Sequence, residues 1–256
     1  MRRGVPSNRR FVAGPGRWTP SGKAGLFLWS RGDDPGASIN TTPDPDQYAS
    51  IPDYGGVGRT LSQATSGNQP QVSTLWAPGS APLFSGGRRF VHSSSAAGWG
   101  TLHIGSSNYV LGMVFHCVGA LTFRQIFSTY NGGASNSGMR WTVYTNGSIE
   151  AQYGNGSANS SITSTAGAVV QDTTYVTTIV KTGAGVSLRL AGSQVASGTI
   201  ASPSSSAPQN TLIVGADSNG NSPHIGAIPE IVMFSGSNLP AVETIESYLS
   251  RWKYVP

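Results

Sequence analysis

The chain contains little charge, a single cysteine and few helix-forming stretches. Only 11% of its 256 residues are charged, and Cys117 is the one cysteine, so an internal disulfide cannot stabilise the fold. No apolar run reaches the roughly 18–20 residues of a membrane-spanning helix, so no membrane partner is expected. No apolar segment follows the first arginines, so a secretory leader is not predicted.

Glycine, serine, threonine and asparagine are abundant, and glycine alone accounts for 34 residues. This composition disfavours helices and favours short strands joined by turns. Strand-like runs include "NYVLGMVFHCVGA", "FRQIFSTY" and "MRWTVYTNGSIEAQY". The last run predicts a hairpin with Asn146-Gly147 as a type I′ turn. Residues 32–82 are rich in proline and are predicted to be irregular.

The C-terminal segment shows a helical pattern. Val242, Ile245, Leu249 and Trp252 recur at a spacing of about 3.6 residues, and Asn238 is a suitable N-cap. The sequence therefore predicts many strands followed by one helix.

Several segments resemble bacterial and phage laminin-G-like domains of the concanavalin A-like lectin/glucanase superfamily. They are "LFLWSRGDD", "DYGGVGRTLSQATSGNQPQV", "PLFSGGRRFVHSSS", "LIVGADSNGNSPHIGAIPEIVMFS" and "LPAVETIESYLSRWKYV". The resemblance covers residues 26–256. It implies an all-β, antiparallel two-sheet β-sandwich, a concanavalin A-like jelly roll, with one C-terminal helix. The second of these segments is expected to be an ordered loop lying over the sandwich.

Residues 1–25 form a basic arm rich in glycine and proline, ahead of a slightly acidic body. Its arginines, which we expect to dock the chain on a larger particle, are Arg2, Arg3, Arg9, Arg10 and Arg17. A basic arm suits nucleic acid or an acidic protein surface, and of these we favour the protein surface. The alternative is a flexible, solvated terminus.

No catalytic or metal-binding motif is apparent. The superfamily's glucanases carry an E-x-D-x-x-E strand, and none of the four glutamates, Glu150, Glu230, Glu243 and Glu246, begins one. His116 and Cys117 are adjacent on a strand and therefore face opposite ways. Asp217 in "DSNGNSPH" fits an Asn/Gly turn better than a calcium site, since it is the one carboxylate there. We expect no enzyme activity, no metal and no cofactor.

Alternation in the predicted hairpin separates two faces. The core face comprises Trp141, Val143, Ile149, Ala151 and Tyr153; the solvent face comprises Arg140, Thr142, Tyr144, Glu150 and Gln152. A sugar needs an aromatic ring to stack on and hydrogen-bonding groups beside it. The candidate glycan-binding residues are Tyr144, Arg140, Glu150, Gln152, Arg189 and Trp99. The alternatives are an ordinary solvated face or one covered by a partner subunit.

The resemblance implies a non-catalytic structural or adhesion component of a bacteriophage virion, assembled in the host cytoplasm. A head-decoration, head-fibre or tail-associated protein would have capsid or tail proteins as partners, form a homo-oligomer and contact host polysaccharide. One alternative is a glycan-binding module of a bacterial surface or secreted system. Another is a glycosidase with an unrecognised carboxylate pair.

Overall fold

The computed structural model describes residues 18–42, 45–55, 59–130, 137–200 and 207–255. These residues contain nineteen strands, one α-helix and two short 3-10 helices, Ser66–Asn68 and Ala96–Leu102. No helix in the described ranges is long and apolar enough to cross a membrane. The five arginines of the predicted docking arm lie outside the described residues.

The strands of the first half are β1 (Leu26–Arg31), β2 (Ser38–Asn40), β3 (Gln47–Asp53), β4 (Arg59–Ser62), β5 (Gln71–Ser73), β6 (Trp76–Ala77), β7 (Ala81–Phe84), β8 (Phe90–His92), β9 (Tyr109–Cys117) and β10 (Arg124–Ser128). Those of the second half are β11 (Ser137–Val143), β12 (Ile149–Asn155), β13 (Asn159–Thr163), β14 (Thr173–Thr182), β15 (Gly185–Leu190), β16 (Ser193–Thr199), β17 (Ile213–Val214), β18 (Gly226–Ser235) and β19 (Lys253–Tyr254). The helix α1 spans Val242–Leu249.

Two antiparallel sheets pack face to face. The front sheet has the order β13-β12-β11-β10-β17-β8-β4-β3-β2. In the back sheet the order is β16-β15-β14-β9-β18, and β1 and β7 pair with the other edge of β18. Strand β5 joins the sheets because it pairs with both β3 and β7. The predicted all-β antiparallel sandwich with one C-terminal helix is confirmed.

Strand β9 shows how alternation builds two apolar layers. Leu111, Met113 and Phe115 belong to the core between the sheets, whereas Val110 and Val114 face the layer beneath α1. The same period places Cys117 in the central core and His116 on the outer face, as predicted. The Cys117 thiol is free, and burial raises its pKa to about 11.

Helix α1 packs closely on the outer face of the back sheet. A Cβ on Gly112 would lie 2.7 Å from Ile245 Cγ2 and 2.8 Å from Leu249 Cδ1, so a glycine is required there. The predicted apolar stripe is confirmed, but the Asn238 cap is wrong: the N-cap is Ala241, which has φ −58° and ψ 137° and makes no side-chain capping hydrogen bond. Pro240 disfavours a helical conformation at Leu239, the residue before it. The helix therefore does not begin directly after Asn238.

Residues 32–82 are more regular than predicted, since they contribute β2 to β7. The segment expected to be a loop over the sandwich contains β4 and β5, so that interpretation is wrong for these parts. These strands have three to seven residues, except for the two-residue β6. Their buried residues, such as Ile51 and Leu61, do not follow a regular alternation, as the pattern of β3 shows.

The β11–β12 hairpin is confirmed, with Ser137 to Val143 paired against Asn155 to Ile149. Its turn differs from the prediction. Gly147 has a φ of 75°, whereas Asn146 is not among the residues with positive φ, and a type I′ turn requires positive φ at both. The Gly147 N–H donates instead to the Tyr144 carbonyl at 3.0 Å.

Candidate functional site

Four of the six predicted sugar-binding side chains meet on the outer face of the front sheet. Arg140 lies on β11 opposite Gln152 on β12, and Tyr144 follows β11. The Tyr144 hydroxyl donates to Glu150 Oε1 at 2.7 Å, and Thr163 Oγ1 donates to Glu150 Oε2 at 3.0 Å. We call this cluster the front-face patch.

Two aromatic residues that sequence reasoning missed complete the front-face patch. The Arg140 guanidinium lies 5.3 Å from the centre of the Phe123 ring and 5.9 Å from that of Tyr130. The Tyr130 hydroxyl donates to Gln152 Oε1 at 2.8 Å. Burial and the bond to Glu150 raise the pKa of Tyr144 to about 12. The tyrosine hydroxyls, Glu150 and Gln152 Oε1 are thus bonded within the patch, whereas Arg140 Nε has no hydrogen-bond partner among the described residues.

The front-face patch is less exposed than predicted. Thr142 is fully buried and Glu150 is 6% exposed, so the expectation that both face solvent is wrong. The Phe123 and Tyr144 rings pack edge to face at 5.2 Å on this side of the sheet. Alternation assigned the correct face, but it could not show that aromatic side chains from a neighbouring segment cover it.

Trp99 is fully buried, and its Nε1–H donates to Ser94 Oγ at 2.7 Å. Its ring packs edge-on against His92 and Phe27, so it cannot stack on a sugar from solvent. The prediction of an exposed loop residue is wrong because a 3-10 helix folds this segment onto the core.

Arg189 does not join the front-face patch. It lies on β15 of the back sheet, where Leu188 and Leu190 face the core. Its Nε–H therefore reaches α1 on the opposite surface and donates to Glu246 Oε1 at 2.8 Å.

A second candidate site, not identified from the sequence, is an open cleft of about 720 Å³ on the outer face of the back sheet. It lies between the first residues of β14, the end of α1 and β19. We call it the α1 cleft. Its lining includes His116, Asp172, Thr174, Ser250, Lys253 and Tyr254. The volume falls within the roughly 300–1,000 Å³ typical of small-molecule sites.

An aromatic platform forms one wall of the α1 cleft. The Tyr254 ring stacks on the His116 ring, with centroids 4.6 Å apart and planes at 25°. Trp76 contacts both rings, at 5.4 Å from Tyr254 and 5.7 Å from His116, and β19 pairs with β6. Tyr254 is nonetheless 36% exposed. It is therefore a held aromatic side chain with surface available to a ligand.

A buried polar cluster fixes the helix wall of the α1 cleft. Glu230 on β18 is 1% exposed and accepts hydrogen bonds from Trp29 Nε1 at 2.7 Å, Trp252 Nε1 at 2.5 Å and the Tyr248 hydroxyl at 2.8 Å. Arg251 Nη2 lies 2.5 Å from Glu230 Oε2. Burial raises the pKa of Glu230. The cluster ties the end of α1 to the back sheet.

Other predicted features have structural explanations. The Asp217 carboxylate accepts the backbone N–H groups of Asn219 and Asn221, as expected for a turn. The described part of the chain contains no group of three potential metal ligands. Arg31, at the end of β1, forms an ion pair with Asp33 at 2.7 Å.

Comparison with known proteins informs the fold. No protein-family model matches the chain, and no curated protein matches its sequence. The chain is similar to the botulinum neurotoxin serotype D binding domain, with a TM-score of 0.58 and 14% identity over 88% of this chain and 51% of that one. The HCR/D F1240A mutant gives a TM-score of 0.59 and 15% identity over the same shares. The chain spans about half the length of these structures.

A partial likeness extends to the Ruminococcus gnavus IT-sialidase CBM40 bound to alpha2,3 sialyllactose. The TM-score is 0.47, with 13% identity over 59% of this chain and 87% of that one, which is too low to support an argument. Identities this low establish the fold alone. Membership of the laminin-G-like family therefore stays a prediction.

Proposed function

We propose that the protein is a non-catalytic glycan-binding domain and that the α1 cleft is its binding site. The observation that carries this proposal is the Tyr254 platform, a held and partly exposed aromatic ring beside hydroxyl and carboxylate groups in a concave site. A pyranose ring offers an apolar face to such an aromatic side chain and hydroxyls to the polar groups. The α1 cleft combines both requirements.

The front-face patch is the weaker site. Its tyrosine hydroxyls are bonded to Glu150 and Gln152, and Arg140 lies over two aromatic rings. A sugar would have to displace these contacts, which costs free energy because each polar group is partly buried. The α1 cleft requires no comparable rearrangement.

The glycosidase alternative has less support. Glycoside hydrolysis requires two carboxyl groups that reach the scissile bond. Glu230 is buried under four side chains, and Glu150 is bonded to Tyr144 and Thr163. Asp172 and Glu246 both line the α1 cleft, but Glu246 accepts hydrogen bonds from Thr178 and Arg189 and is therefore not free to act on a substrate.

The test is a glycan array probed with the full chain, followed by calorimetric titration of the glycan that binds. Tyr254→Ala and Tyr144→Ala are matched variants, since each removes one partly exposed tyrosine from opposite surfaces. We expect Tyr254→Ala to weaken binding at least about tenfold, Tyr254→Phe to retain it because the ring remains, and Tyr144→Ala to leave it unchanged.

If Tyr144→Ala weakens binding and Tyr254→Ala does not, the binding site is the front-face patch. Failure of the folded chain to bind any glycan would refute the proposed function. Release of product from a bound polysaccharide, lost in Glu150→Gln, would restore the glycosidase alternative.

We further propose that the domain works on a bacteriophage particle, with the basic arm on capsid or tail proteins and the domain turned towards host polysaccharide. The support is the sequence resemblance alone. Mass spectrometry and cryo-electron microscopy of particles from the source lysate test this. A copy on the shell or tail is expected, and its absence from every particle would favour a bacterial surface or secreted module.

A further inference from the structure

We infer that the α1 cleft selects an uncharged hexopyranose, with the ring on Tyr254 and neighbouring hydroxyls donating to Asp172, and discriminates against acidic sugars. The inference rests on the proposed function. A ligand that fits the cleft must offer hydrogen-bond donors to its acceptors and acceptors to its donors. The groups that line the cleft therefore determine which sugars it binds.

Asp172 is an exposed carboxylate held in a fixed position. Its backbone N–H donates to the Cys117 carbonyl at 2.7 Å, and its Oδ1 accepts the Gly119 N–H at 3.0 Å. Its φ of 54° lies in the left-handed region, which disfavours most side chains but tolerates Asp and Asn. Within the described ranges no cation pairs with it, so Oδ2 is available to a ligand donor.

Two hydroxyl groups that line the cleft act as further acceptors. Thr173 Oγ1 donates its hydrogen to the Gln171 carbonyl at 3.1 Å, and Ser250 Oγ donates to the Ser247 carbonyl at 2.7 Å. Each oxygen keeps lone pairs for an incoming donor. A sugar hydroxyl supplies such a donor, whereas a sugar carboxylate is an acceptor only.

The described cleft lacks a free guanidinium, the group best matched to a carboxylate. Arg189 directs Nε to Glu246 Oε1 at 2.8 Å, and its Nη2 to the Gly192 carbonyl at 2.7 Å and Glu246 Oε2 at 3.1 Å. Burial lowers the pKa of His116 despite the opposing effect of nearby Asp172, which favours the uncharged imidazole. Lys253 also lines the cleft, and its exposed ammonium is a point charge that matches a carboxylate less well than a guanidinium does.

Two pairs of ligands test the inference by ligand-observed NMR and calorimetry with the full chain. Methyl glucoside and methyl glucuronide differ only at C6, as do methyl galactoside and methyl galacturonide. We expect the neutral member of at least one pair to bind about tenfold more tightly than its acid. Asp172→Asn should weaken binding of the neutral sugar about tenfold. It should also reduce the difference in affinity between the neutral sugar and its acid. Asn tolerates the left-handed conformation, so this variant should fold.

The remaining outcomes overturn the inference in distinguishable ways. If an acid binds as tightly as its neutral partner and Tyr254→Ala abolishes both, the selectivity is wrong and the proposed site stands. If neutral binding is unaffected by both Asp172→Asn and Tyr254→Ala, the site lies elsewhere. If neither pair binds, the hexopyranose assignment is wrong, and the glycan array decides separately whether glycan binding itself fails.

Discussion

The buried Glu230 cluster gives a quantitative test of how α1 is held. Glu230→Ala leaves the Arg251 cation, whose side chain is 8% exposed, without its counter-charge. It also leaves the indole N–H groups of Trp29 and Trp252 and the Tyr248 hydroxyl without an acceptor. Breaking a buried ion pair from one side costs roughly 3–5 kcal/mol, and each lost bond to a charged acceptor roughly 1.5–3 kcal/mol.

These contributions share one carboxylate and therefore do not add. Because Arg251 as a whole residue is only half-buried, water can satisfy part of the loss. We expect Glu230→Ala to lower the free energy of unfolding by at least about 3 kcal/mol. Glu230→Ala/Arg251→Ala should be more stable than Glu230→Ala alone, because the uncompensated charge is gone.

Urea unfolding at neutral pH, followed by circular dichroism and tryptophan fluorescence, measures both effects. Glu243→Ala is the control: it removes an acid from the same helix, 71% exposed and 3.7 Å from Arg189, and should change stability by under about 1 kcal/mol. A loss of less than about 1 kcal/mol in Glu230→Ala, or no recovery in the double variant, would refute the reasoning.

Two further predictions concern His224 and Gly226, and the experiments on Tyr254 and Asp172 complete the set. Burial lowers the pKa of His224 to about 3, so the unfolded chain binds a proton below pH 6.5 that the folded chain excludes. The free energy of unfolding should fall by up to about 1.4 kcal/mol per pH unit from pH 6.5 towards pH 3. Urea titrations at several pH values should show a shallower dependence of stability on pH for His224→Asn. An unchanged dependence would contradict this. In Gly226→Ala a Cβ would lie 1.8 Å from the His116 carbonyl oxygen, so thermal unfolding should show a loss of at least about 2 kcal/mol. Gly119 also has a positive φ, but a Cβ there would meet open space, so Gly119→Ala should lower stability by only about 1 kcal/mol. Equal losses of stability in the two variants would contradict the clash at Gly226.

The sequence predicts those parts of the molecule that depend on local pattern. Alternation in β9, β11 and β12 indicates correctly which side chains enter the core, since neighbouring residues determine a strand's faces. The front-face patch follows from the same rule because β11 and β12 form a local hairpin. Its coverage by Phe123 does not follow, since that residue comes from another segment.

The features missed depend on pairing between distant segments. The sequence pattern groups Arg189 with Tyr144 because alternation gives a face but not the sheet to which a strand belongs. The α1 cleft combines His116, Asp172 and Tyr254, brought together by the pairing of β9 with β14 and of β6 with β19. Trp99 was misplaced because its glycine-rich sequence does not reveal a buried 3-10 helix.

The link through β5 makes the two sides of the sandwich unequal. On that side the Tyr48 N–H donates to the Pro70 carbonyl and the Val72 N–H to the Asp46 carbonyl, both at 2.8 Å. At the opposite side, among the described residues, β13 pairs with β12 alone and β16 with β15 alone, and the two meet through side chains such as Ile162 beside Gly198. Backbone hydrogen bonds therefore join the sheets along the margin that contains β5, whereas side-chain packing holds them together along the other. We expect transient separation to begin at that second margin, so hydrogen exchange should find the amides of β13 and β16 less protected than those of β5.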